Sequence, residues 1–212
     1  MLLGKLEAML HELYALEVGY AVSDFLITDE ALARSLDANG RDVDEKLLIA
    51  ESDGEADVAL YLEQELLDRL ACRDPFTCLD AGNLADFWAA LEGVSHFTYY
   101  AWNAARDKPV SLFELELQAE VDKFVTTGML LREQTGHEPS GLHGWLFDSP
   151  TLIGGLATAE RERYRRANRY AAKYCQRLSP PLSSADDVAT QRELRHFYRL
   201  SQTSKLAHID AH

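Results

Sequence analysis

Residues 83–114 read NLADFWAALEGVSHFTYYAWNAARDKPVSLFE, and this stretch decides how the chain folds. Between Asp86 and Arg106 the single formal charge is Glu92. Leu84, Phe87, Trp88, Leu91, Val94, Phe97, Ala101 and Trp102 recur at helical spacing and flank one polar line, Glu92, His96, Tyr99 and Asn103. Such a pattern predicts a helix that is buried almost all round. Asn83 stands where an N-cap belongs. Arg106, Asp107, Lys108 and Pro109 make a short connection, and Ser111 with Glu114 spells the capping box of a second helix. So short a loop predicts an antiparallel helix pair.

Matching levels across that loop places positions whose numbers sum to about 216 side by side, so His96 faces Glu120 and Tyr100 faces Glu116. On the second helix Phe113, Leu117, Val121, Phe124 and Gly128 form the apolar arc, with Glu120 on its flank. Glu114, Glu116 and Asp122 fall at other phases and are expected on a solvated face.

Outward from this pair, Leu3, Leu6, Leu10 and Leu13 predict a first helix over residues 2–16, followed by an extended stretch over 18–28. Thr28 is expected to cap a helix ending at Leu36, and strands over 46–51 and 57–62 are joined by Ser52, Asp53, Gly54 and Glu55. Toward the C-terminus come a loop over 135–144, a short apolar turn with Trp145 and Phe147, a helix over 157–178, a Pro180-Pro181 linker and a last helix over 187–209. The expected class is α+β, mostly α-helical, with a small N-terminal lobe carrying a β-hairpin and then an antiparallel helical bundle. Residues 1–62 make the mixed lobe, 63–178 the bundle, and 179–212 the linker and basic C-terminal helix, together one compact domain.

The 212 residues are 47% apolar and carry a net charge of -14, unevenly placed. Residues 1–150 hold 10 lysines and arginines against 29 acids, a balance of -19, whereas residues 151–212 hold 11 against 6, a balance of +5. No apolar run is long enough to span a membrane, and Lys5 and Glu7 interrupt the leading MLLGKLEAML, so the expected location is the cytoplasm. Cys72, Cys78 and Cys175 match no zinc-ligand spacing and read as reduced thiols.

Three groups of residues carry chemistry. Glu92, His96 and Glu120, completed by His11 or Glu17 of the first helix, compose a candidate catalytic or divalent-metal site. The spacing of four between Glu92 and His96, found once, differs from the repeated Glu-x-x-His of di-iron bundles. The same residues also suit a plain buried network in which Glu92 keeps His96 protonated.

Arg165, Arg166, Arg169, Lys173 and Arg177 form the outward face of the long helix, and Arg192, Arg195 and Arg199 extend it on the last one. Such a face fits an acidic protein surface, whether of the same chain, a second copy or a partner protein, and less well a nucleic acid. Arg132 and His137, separated by four residues, resemble in that spacing alone the ribonucleases of the HEPN class. That resemblance implies a helical dimer cleft acting on RNA, although Gly136 and Pro139 depart from a continuous helix.

No phosphate-binding glycine loop, nucleophile elbow or nucleotide fingerprint is present. The expected function is a non-catalytic binding or regulatory module that self-associates or docks a protein partner through its basic C-terminal helices. An enzyme or metal-binding bundle, with a divalent metal as the one cofactor considered, is the first alternative, and an RNA-processing accessory protein the second.

Overall fold

The computed structural model describes residues 2–37, 44–52, 55–137, 141–148, 157–182 and 188–211. Helix α1 (Leu2–Tyr14) leads through a 3-10 turn at Val22–Asp24 into β1 (Leu26–Ile27) and α2 (Glu30–Leu36). Then come β2 (Glu45–Ser52), β3 (Glu55–Leu62) and α3 (Gln64–Cys72). The long helices α4 (Leu84–Ala104) and α5 (Leu112–Thr135) form the centre, followed by α6 (Leu142–Phe147), α7 (Thr158–Leu182), α8 (Val188–Arg199) and α9 (Gln202–Asp210). The protein is mostly helical with a small β part, and no described helix is long and apolar enough to cross a membrane. Asp53 and Gly54, between the paired strands, lie outside the described residues.

Antiparallel α4 and α5 meet at the expected levels. Trp88 Nε1 donates to Thr127 Oγ1 at 2.9 Å, Lys123 Nζ to Glu92 at 2.7 Å and Ser95 Oγ to Asp122 at 2.5 Å. Both halves of the capping box form: the Glu114 N–H donates to Ser111 Oγ, and the Ser111 N–H donates to the Glu114 carboxylate. At the far end α5 stops on Gly136, whose φ of 72° is the left-handed conformation that suits a glycine helix stop.

Asn83 does occupy the N-cap position of α4, but its side chain is turned to the preceding loop. Its amide donates to the carbonyls of Arg73 and Cys78, and its oxygen accepts from the Asp80 N–H. Asp29, not Thr28, caps α2, accepting from the amides of Ala31 and Leu32. Its carboxylate at the N-cap satisfies two of the orphan amides of the first turn.

The expected hairpin is part of a three-stranded sheet. β3 lies between antiparallel β2, in register from Glu45 opposite Leu62 to Ser52 opposite Glu55, and parallel β1, with Leu26 opposite Leu60. Side chains alternate across it: Leu48 and Tyr61 pack with Ala33 of α2, while Leu47, Ile49, Leu60 and Leu62 join the main core. Glu45 belongs to that second face, which lies on α4. A Cβ at Gly93 of α4 would stand 2.8 Å from Glu45 Cγ and 2.9 Å from Leu60 Cδ1, so glycine is what admits the sheet so close.

The C-terminal part also departs from expectation. α7 continues through Pro180 and Pro181 to Leu182 where a linker was expected, and the last helix is two, divided at Leu200 and restarted by Ser201, whose Oγ accepts from the Ser204 N–H. One apolar core draws on residues from Leu3 to Ile209, so α1, the bundle and the C-terminal helices share an interior.

Gly93→Ala is expected to destabilise the protein by about 1–2 kcal/mol in denaturant unfolding, because overpacking outweighs alanine's helix preference of about 1 kcal/mol. An alanine variant more stable than wild type would show that the sheet does not press on α4 at this point.

Candidate functional site

Glu92 and His96, one helical turn apart on α4, face the same way. Burial, however, supplies His96 with partners other than the expected one. Its Nδ1 lies 3.4 Å from Glu45 Oε1 of β2, and its Nε2 lies 4.0 Å from Glu116 Oε2 of α5. Glu120 is a helical turn away, held by Lys123. Lys123 Nζ donates to Glu92 Oε2 and to Glu120 Oε1, both at 2.7 Å, so one ammonium joins two carboxylates. Arg163 and Tyr164 of α7 also face this set, Arg163 Nε lying 3.7 Å from Glu116.

The expectation of a solvated face on α5 is overturned: Glu114, Glu116 and Asp122 are all buried, as is Lys123. The reason is that α7 packs along α5 on the side of Glu116, while α1 and α9 close over Asp122 on the other. His11 and Glu17 do not join the cluster either. α1 reaches the helix pair on another flank, through Tyr14 and Asp122, and Glu17 is exposed. Among the described residues the one triad of His, Cys or acidic side chains with converging ligand atoms is Glu45, Glu92 and His96, whose ligand atoms lie within 4.8 Å of one another.

Electrostatics follow from this packing. Burial pulls His96 down, but Glu45, Glu116 and Glu92 around it outweigh that and hold its pKa up at about 9. Burial raises Glu45, and it pushes Glu116 up to about 8 against the pull of His96. Glu92 goes the other way, because Lys123 and His96 overcome its burial. Lys123 is itself raised, the carboxylates of Glu120 and Glu92 outweighing desolvation. Among the described residues three buried atoms of this cluster make no hydrogen bond, Glu45 Oε1, His96 Nε2 and Arg163 Nε, each lying within 4.0 Å of an oppositely charged group.

A second buried network lies on the flank toward α1 and α9. Asp122 accepts from Tyr14, Ser95 and Gln118 at 2.5, 2.5 and 2.9 Å, and Gln118 Oε1 accepts from Lys205 Nζ at 2.6 Å. Lys205 is wholly buried, with its ammonium 4.5 Å from the Tyr99 ring centre and 4.7 Å from that of Phe197. Burial raises Asp122 and lowers Lys205 to about 7.

The basic residues divide into two groups. Arg195 donates to the carbonyls of Glu12 and Leu13, and Arg199 to those of Tyr14 and Ala15, so both satisfy the C-terminal end of α1. Lys173 pairs with Asp210 at 2.9 Å, and Arg177 donates to the His208 carbonyl at 3.5 Å. Arg165, Arg166 and Arg169 are exposed on α7. Arg166 lies over the rings of Phe113 and Tyr170, and Arg169 over Tyr170. Arg132 lies in the last turn of α5 while His137 is exposed beyond Gly136, so no single helix carries that pair.

No family model matches this chain, and neither a curated protein nor a solved structure is significantly similar to it.

The folded protein sheds the Lys205 proton above about pH 7, whereas the unfolded chain keeps it to 10.5, so this residue makes stability rise with pH across that window and leaves it flat below. Relative to Lys205→Met, wild type should therefore gain about 2 kcal/mol between pH 7 and pH 9 in denaturant unfolding. Parallel stability curves for the two proteins would contradict the assignment.

Proposed function

We propose that this chain is a binding module that associates with a second copy of itself, the arginine face of α7 meeting the acidic surface of the N-terminal part. The observation that carries the reading is how the cations are divided. Lys173, Arg177, Arg195 and Arg199 donate to oxygens of the same chain, which narrows the docking face of α7 to the exposed Arg165, Arg166 and Arg169.

That face has the composition of an interface centre. Arg166 and Arg169 are laid on the rings of Phe113 and Tyr170, which restrains their guanidinium groups in advance, and Leu112, next to Phe113 in sequence, is 56% exposed. The opposing charge is plentiful: Glu12, Glu17, Glu30, Glu65 and Asp68 are exposed. Arginine on carboxylate suits such an encounter because the guanidinium forks both oxygens.

Sedimentation velocity at ~50 mM and ~500 mM salt tests the reading, since these ionic strengths bracket strong and weak screening. Dimers at low salt that dissociate at high salt, and that the Arg166→Glu, Arg169→Glu double variant fails to form, are the expected result. A monomer under both conditions, or an association indifferent to salt, contradicts it. So does a wild-type protein that stays monomeric but retains an RNA oligonucleotide through the same two arginines.

A further inference from the structure

We infer that Glu45, Glu92 and His96 form a binding site for one divalent transition-metal cation, with Glu116 beside it. Bonding capacity in this cluster is incompletely met. His96 is 6% exposed and its Nε2 makes no hydrogen bond, while Glu45 Oε1 has the Nδ1 of the same ring 3.4 Å away without hydrogen-bond geometry. Buried polar atoms of this kind have partners as a rule, so two together in one cluster call for a ligand.

Charge points to the sign of that ligand. Glu45, Glu92, Glu116 and Glu120 bring four carboxylates together, and Lys123 and Arg163 are the lysine and arginine facing them. With His96 neutral, as a metal ligand must be, and all four carboxylates ionised, two negative charges remain, and one divalent cation balances them.

The donor set decides the class of ion. One imidazole with carboxylates suits manganese, iron, cobalt or zinc better than calcium or magnesium, which favour all-oxygen shells. Ligand atoms already within 4.8 Å need shifts of under about an ångström to share an ion bonded at ~2.1 Å. Lys123 holds Glu92 Oε2 from outside, as outer partners of ligating carboxylates do. The three ligands come from two elements that Gly93 allows to touch, so the site is made by the fold and not by a local motif.

Cobalt(II) alone is the probe, added to the full chain after stripping with a chelator and dialysis. One equivalent should bind, give visible absorption of a nitrogen and oxygen site, and shift the His96 imidazole resonances by its paramagnetism. Glu45→Gln and His96→Asn should each weaken binding roughly tenfold or more. Glu133→Gln, exposed farther along α5 and outside the cluster, should bind as wild type does. Absence of stoichiometric binding by wild type, an unshifted His96, or equal weakening by Glu133→Gln overturns the inference. The wild-type imidazole shift decides the matter even where a variant fails to fold.

Discussion

The constraint on which the structure depends is that α4 and α5 are buried on nearly every side while carrying charge. A lone buried carboxylate or ammonium is so unfavourable that it either changes protonation or acquires a partner. Both outcomes occur here. Lys123 gathers Glu92 and Glu120, Glu45 and Glu116 surround His96, and Asp122 takes three donors from three helices. Apart from Lys123 with Glu120 and Gln118 with Asp122, which stay within α5, these partnerships cross between elements, so the polar contacts fix where β2, α1, α7 and α9 must lie against the central pair.

Neighbouring residues on each helix serve opposite flanks. Ser95 and Asp122 look toward α1 and α9, whereas His96 and Lys123 look toward β2 and α7. The fold thereby keeps two charged networks apart with the helix axes between them. The flank at His96 retains unmet bonding capacity; at Asp122 both carboxylate oxygens accept hydrogen bonds. That contrast makes the first flank, and not the second, the one with capacity for a ligand.

The helix pair was legible because its signals are local: helical spacing of apolar residues, a capping box and a short connection. Level-matching held to within a residue for Ser95 with Asp122 and for Trp88 with Thr127. Its failure at His96 is instructive. Glu45 comes from a strand 51 residues earlier, and nothing local to the helix announces it. The period-2 pattern of Glu45, Leu47 and Ile49 does place the carboxylate on the apolar face of β2, and Gly93 on α4 marks a close approach, but joining the two needs the tertiary structure. The burial of Glu116 and Asp122 was hidden for a related reason, since it depends on α7 returning across α5 on one flank and on α1 and α9 closing the other. Lys205 had no signal at all: a lysine in a short helix ordinarily faces water.

The most direct test of the charged interior is a double-mutant cycle on Glu45→Gln and His96→Gln, with unfolding free energies measured in metal-free protein. If β2 supplies the counter-charge for His96, the two changes are coupled by about 1 kcal/mol or more, as for buried partners in contact. Effects that add to within about 0.3 kcal/mol would contradict the account, because independent residues would then be occupying the centre of the fold.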